Sequence, residues 1–273
     1  MVIGNKEIVN VLNDFKLILY LNYSYLSYAI FNTRNNCFEK IKTHPLIGKS
    51  NINSDELTRI INTDTNLQQQ YQHTLCTIES NSSTLIPEPL FEEKNITNYL
   101  DETDNDNLAY KYIKQNFEDC FTIFTIKKNI LHLLETQFHH IKIKSASSVL
   151  IDYASTLNQD NHNTILTEVK EKSFHIVFHE KGKLKFHNQF NFETINDFIY
   201  YFMNCIQILR IDTKETKTMV VSQLHKEHTL FQNLAKQIKI IFLKKPNIFL
   251  YSNNLINSPS HMNHHLFSQL ICE

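Results

Sequence analysis

Residues 164–190 read TILTEVKEKSFHIVFHEKGKLKFHNQF, and this stretch decides the fold. Three strand-like segments, Thr164 to Val169, Phe174 to Phe178 and Leu184 to Phe190, follow one another, and Phe174, Ile176, Phe178, Leu184 and Phe186 recur at the period of a strand with one buried face. Lys181-Gly182 separates the last two segments, and glycine there supplies the positive φ of a tight hairpin turn. Three consecutive antiparallel strands are therefore predicted. The same pattern stands earlier in the chain, with Leu17, Leu19 and Leu21, then Leu26, Tyr28 and Ile30, then Cys37 to His44.

Helices and strands alternate after each triplet. In the first half, Asn53 and Glu56 have capping-box spacing ahead of Leu57, Ile60, Ile61 and Leu67 at helical intervals. A strand from Gln72 to Glu79 follows. Pro87 and Pro89 allow a helix only from about residue 88, because proline fits a first turn but not a helix interior. Strands are expected at Tyr110 to Asn116 and Cys120 to Ile126, then a helix through Ile130, Leu134 and Phe138. A short strand at Ile141 to Ile143 leads to Ser145 as the cap of a helix reaching Leu157. In the second half, Ile195, Phe198, Ile199, Phe202, Ile206 and Leu209 share one helix face. Strands at Met219 to Ser222 and Ile238 to Leu243 bracket a helix with Phe231, Leu234 and Ala235, and a terminal helix lies near Leu266 to Ile271.

Each half thus reads β-β-β-α-β-α-β. Two such copies imply an α/β fold with mixed sheets flanked by helices, and the order resembles that of two ribonuclease-H-like lobes, the duplication of actin-like ATPases. The polar run from Asn158 to Asn163 is the expected boundary, dividing the chain into lobes 1–159 and 160–273.

On the N-terminal strand pair, the segment Thr84-Leu-Ile-Pro-Glu-Pro-Leu-Phe-Glu-Glu93 and the duplicated order, the chain resembles bacterial domain-of-unknown-function family 3822. That family is associated with an actin-like ATPase fold. The resemblance implies where a nucleotide would sit: actin-superfamily members that bind one place an Asp-x-Gly turn between the first two strands of each lobe and a glycine-rich turn after a later strand. Here the corresponding turns are Asn22-Tyr23-Ser24, a turn within Glu168 to Ser173, and Ser222-Gln223-Leu224. None contains glycine.

That departure matches the composition, in which only Gly4, Gly48 and Gly182 occur in 273 residues. Amides close around a phosphate where the backbone enters crowded or left-handed conformations, which glycine alone adopts without steric cost. No P-loop, GxSxG elbow or HExxH helix is present, so no motif marks a hydrolase. No cofactor or metal is expected. Lysine and arginine total 27 against 28 acidic residues, and the net charge of −1 provides no global attraction for nucleic acid. Cys37, Cys76, Cys120, Cys205 and Cys272 are scattered and odd in number, the usage of reduced thiols in the cytoplasm. The apolar run Leu17 to Leu21 is too short for a signal-peptide core, and no window is long enough to span a membrane.

Local clusters have plain structural readings. His225 with His228, and His261 with His264 and His265, have no Cys or acidic residue nearby at zinc spacing except Glu227, and read as surface histidines. The acidic residues Asp101, Glu102, Asp104 and Asp106 lack the glycine and terminal glutamate of a calcium loop. Glu88, Glu92 and Glu93 complement the positive end of a helix starting at Pro87 better than they form an acid–base pair. The hairpin around Gly182 offers the one candidate interaction face. Alternation assigns Phe174, Ile176, Phe178, Leu184 and Phe186 to the core and His175, His179, Lys183, Lys185 and His187 to an exposed basic strip. The leading expectation is a non-catalytic protein-interaction module with a degenerate nucleotide site and an unidentified protein partner. The alternatives are a nucleic-acid-associated accessory factor using the basic hairpin, or a divergent ATPase.

Overall fold

The duplicated triplets form two antiparallel meanders. In the computed structural model, which describes residues 12–47, 52–80, 82–101, 105–158 and 162–273, β1 (Leu12–Leu21), β2 (Tyr25–Asn32) and β3 (Cys37–Pro45) are the first. After α1 (Ser54–Thr63), β4 (Tyr71–Ile78) adds parallel to β1. Three strands then leave to make a separate antiparallel sheet: β5 (Ser83–Pro87), β6 (Leu108–Lys114) and β7 (Cys120–Lys127), in the order β5-β7-β6. The chain returns through α2 (Lys128–Gln137) to β8 (Ile141–Ser145), parallel to β4, and then forms α3 (Ala146–Leu157).

The second meander is β9 (Asn163–Val169), β10 (Ser173–Glu180) and β11 (Lys183–Asn191), followed by α4 (Ile195–Ile208), β12 (Thr216–Ser222), α5 (Thr229–Ala235) and β13 (Ile240–Phe242). Its sheet runs β11-β10-β9-β12-β13. The first sheet runs β14-β3-β2-β1-β4-β8, where β14 is Leu250–Tyr251. Without β14 the two orders are identical, the strands of each sheet counted along the chain running third-second-first-fourth-fifth. The mixed sheets flanked by helices are the expected architecture.

Residues from Leu250 onward, expected with the second lobe, join the first instead. β14 pairs with β3, α6 (Asn253–Ile256) follows it, and α7 (His264–Ile271) places Leu266 and Phe267 among Ile18, Tyr20, Phe31 and Phe38. The central strands are consequently buried on both faces. Leu17, Leu19 and Leu21 face α1 and α2, while Ile18 and Tyr20 face α7. In the second sheet, Phe174, Ile176 and Phe178 pack on Phe198, Phe202 and Ile206 of α4, whereas Leu166, Val177 and Met219 meet Leu150, Ile151 and Tyr153 of α3. Helix α3 thus begins at the first sheet and covers the second.

Three local expectations change. Asn53 caps α1 by accepting from the amides of Asp55 and Glu56, but Glu56 does not complete a box; its carboxylate accepts the Ile47 amide at 3.0 Å. The helix expected at Pro87 is two 3₁₀ turns, Glu88–Leu90 and Glu93–Asn98, held by stacking of Phe91 on Phe121 with ring centroids 4.0 Å apart. At the second hairpin both Lys181 (φ 50°) and Gly182 (φ 79°) are left-handed, as a two-residue hairpin turn requires. A bulge pairs Phe178 with Phe186 but His179 with Leu184, which moves Leu184 off the Phe174 face and onto the α3 side.

Candidate functional site: the cleft between the lobes

The three turns compared above with nucleotide-binding turns are closed internally, two by side chains and one by its backbone. Asn22 Oδ1 accepts from the amides of Ser24 and Tyr25, both at 2.8 Å, so the β1–β2 turn is an Asx turn whose N–H groups point inward. At the β9–β10 turn the Lys170 amide donates to the Ser173 carbonyl at 2.9 Å. After β12, Ser222 Oγ donates to the Val169 carbonyl at 2.6 Å and accepts the Leu224 amide at 3.0 Å. His261 Nε2 then donates to the Leu224 carbonyl at 2.8 Å. The amides of Ser24, Tyr25, Lys170 and Leu224 are therefore already bonded within their own turns.

Between these turns lies a buried polar cluster. Glu79 continues β4, its amide donating to the Leu21 carbonyl at 2.9 Å, and the residue is only 4% exposed. Oε2 accepts from Tyr20 Oη at 2.7 Å and from Lys170 Nζ; Oε1 accepts from His175 Nε2 and Gln189 Nε2, each at 2.9 Å. Lys170 also pairs with Glu168 at 3.2 Å and stands over the Tyr20 ring. His265 of α7 packs on the same ring at 4.4 Å and takes a 2.6 Å hydrogen bond from Gln223 Nε2 at Nδ1. Side chains from both sheets and from α7 thus meet at one point.

The electrostatics follow from this geometry. Burial pushes the Glu79 pKa up, but Lys170 and His175 outweigh it and hold the carboxylate well below its ordinary range. Burial pushes Lys170 down, and Glu168 and Glu79 more than restore it. Burial first, then Glu79, raises Tyr20, while burial and Lys170 push His265 down to about 3. The space left beside Tyr20, Glu168 and His265 is about 10 Å³, room for at most one water. The charged groups of the cluster are thus paired with one another across the two sheets.

A second cluster ties the inserted sheet to the second lobe. Glu118, in the β6–β7 turn, accepts from Ser155 Oγ at 2.9 Å and His179 Nε2 at 3.0 Å through Oε1, and from the Leu184 amide at 3.3 Å through Oε2. The Asn116 amide donates to Asp152 Oδ1 at 2.9 Å.

The expected interaction face is rearranged accordingly. His175 and His179 are 1% and 0% exposed because α3 and the two carboxylates cover that side of β10. His187 is half-buried against His175, and only Lys183 and Lys185 remain at the surface, the latter 3.6 Å from Glu180. The exposed basic strip is therefore not formed. His261, His264 and His265 are buried rather than superficial, with His264 Nδ1 accepting from Tyr153 Oη at 3.0 Å. Among the described residues no group of three or more His, Cys, Asp or Glu is placed to hold a metal. Glu88 pairs with Lys114 at 2.5 Å and Glu92 with Lys94 at 3.1 Å, so they do not form an acid–base pair. Glu102 and Asp104 lie outside the described residues. All five cysteines are free thiols. The sequence reading did not single out Glu79, Lys170, Tyr20 or Gln189. The available signal was a charged or imidazole side chain inside an apolar strand, as at Glu168, His175 and His179.

Known structures share this architecture. A Bacteroides thetaiotaomicron protein with an actin-like ATPase fold and unknown function matches with a TM-score of 0.77 at 22% identity, over 96% of this chain and 97% of its own. The PilM-PilN type IV pilus biogenesis complex contains a chain that matches at 0.61 and 7% identity, over 89% of this chain and 92% of its own. No curated protein matches the chain. No helix among the described residues is long and apolar enough to cross a membrane. The duplicated sheets, the inserted three-stranded sheet and the side-chain-filled cleft are therefore the form taken here by the family described as protein of unknown function (DUF3822), to which the chain belongs through a match over residues 6–241.

Proposed function

We propose that this protein is a non-catalytic cytoplasmic interaction module, an actin-like scaffold that works by binding another protein. The observation that carries the reading is the Glu79–Lys170–His175 cluster, which fills the space between the lobes with bonded side chains. A triphosphate in that space would have to displace a buried ion pair and would meet turn amides already bonded. Removing one partner of such a pair costs about 3–5 kcal/mol. The free cysteines fit a reducing compartment. A protein of the same fold occurs in the PilM-PilN complex, so the scaffold is compatible with a role in assembly.

The reading is tested by nucleotide. Ligand stabilisation scales as RT ln(1 + [L]/Kd), so Mg-ATP at about 1 mM raises the melting temperature only if Kd is near or below millimolar. No shift is expected. A rise with Mg-ATP that Mg-AMP does not reproduce, confirmed by calorimetry, would restore an ATPase.

A further inference from the structure

Between the inserted sheet and the second lobe the molecule has a groove with about 320 Å³ of free volume. One wall is residues 83–85 of β5, the other is β11 between residues 187 and 191, and Ser147 of α3 lies between them. Both walls are sheet edges, since β5 is an outer strand of its three-stranded sheet and β11 of its five-stranded one. An edge strand presents a row of N–H and C=O groups on its open side. Two such rows line one cavity here.

The groove has a guarded end and an open end. Near the start of β11, Glu118 caps the Leu184 amide, and Lys183 and Lys185 add charge. Further along, Asn188 and Asn191 are exposed and uncharged. Other outer strands differ: β6 carries Lys111 and Lys114, β8 carries Lys142 and Lys144, and β13 and β14 have three and two residues. Lysines and short length are the usual guards against strand addition. β5 contains no charged residue, and its proline, Pro87, lies beyond the stretch from Ser83 to Leu85 that lines the groove.

The lining chemistry selects the occupant. Ser83, Thr84, Ser147, Asn188, Gln189 and Asn191 offer neutral donors and acceptors, and no Lys, Arg, Asp or Glu is among the lining residues. Charge to hold a phosphate or a divalent cation is therefore lacking. Leu85 contributes too little apolar wall for a lipid or a large aromatic ligand. Backbone pairing aided by short polar side chains is the chemistry of an added strand. We propose that the groove between β5 and β11 binds an extended, uncharged peptide segment of a partner protein, which pairs with one or both edges. This rests on the interaction-module reading and gives it a location.

The groove also reaches the inter-lobe cluster. His187 Nε2 is 3.3 Å from His175 Nδ1, and Gln189 donates to Glu79, so a strand laid along this wall touches groups that hold the lobes together.

Short random peptides displayed on phage and panned on the full chain supply the probes. The double variant Ser83→Lys/Asn191→Lys guards both walls at partly or fully exposed positions, and its unchanged melting temperature would show that it folds. Enriched peptides should bind it at least about tenfold more weakly, while Ile241→Lys on the β13 edge leaves affinity unchanged. Peptide binding should also slow hydrogen exchange at residues 83–86 and 187–191. Peptides that bind the double variant equally well, or protect another edge, would overturn the groove and leave the interaction reading standing. Absence of any enrichment would overturn strand addition, and the module reading would then depend on the nucleotide test alone.

Discussion

Lys170 stands between Glu79 and Glu168, and replacing it by methionine would leave two carboxylates in the cleft without their cation. A loss of about 3–5 kcal/mol is expected in urea unfolding, because an uncompensated buried charge remains. Adding Glu79→Gln should recover part of it; a near-neutral single variant would show that the cluster is hydrated. The same residues set the response to acid. The folded Glu79 carboxyl is held below its ordinary 4.5, so its contribution is present above that pH and lost as pH falls further. His264 at about 4 and His265 at about 3, both lowered chiefly by burial from 6.5, take up protons more readily when unfolded. Stability should therefore fall between about pH 6.5 and 3, and a flat urea midpoint from pH 7 to 4 would contradict this. Asp152 has the opposite sign. Burial lifts it from 3.8 to about 6, so stability declines as pH rises through that interval. Asp152→Asn should gain on the order of 2–3 kcal/mol at pH 7.5, and the gain should vanish below about pH 4.

At the scale of elements, α4 shows what local pattern can disclose. Its apolar face places Phe198 and Phe202 at 0% exposure, as the spacing predicts. Phe202→Ala should cost about 3–5 kcal/mol by cavity formation, measured by denaturant unfolding. Thr194 closes the helix with a reciprocal capping box to Asp197, and Thr194→Ala should cost about 1 kcal/mol. Elements whose periodicity and caps lie within a few residues were legible in this way. β5 was not, because its five residues pair with β7 and have too few places to show a period. The bulge at the second hairpin was equally hidden, and it alone reversed the side of Leu184. The glycine-poor turns were legible in the sequence. The cluster that fills the cleft was not, since Glu79 meets Tyr20, His175 and Gln189 across 59, 96 and 110 residues.

The whole molecule is organised by two crossings of the chain between its sheets, one through α3, which follows β8 of the first sheet, and one through β14 and α7, which follow the second lobe. α3 covers the second sheet and α7 covers the first. A fragment ending at residue 158 would keep β1 to β3 but lose Leu266 and Phe267 from above Ile18, Phe31 and Phe38. It should bind a hydrophobic dye and self-associate in sedimentation, whereas the full chain should do neither; a monodisperse fragment would show that the face is covered in another way.

The return of β14 and α7 to the first sheet also orders events during synthesis. The strands made first have their second face covered by residues 250–271, which leave the ribosome only after the whole second lobe has been made. Contacts so distant along the chain form slowly. Until they form, the nascent protein carries an apolar sheet face open to the surroundings, a surface suited to a chaperone and prone to aggregation.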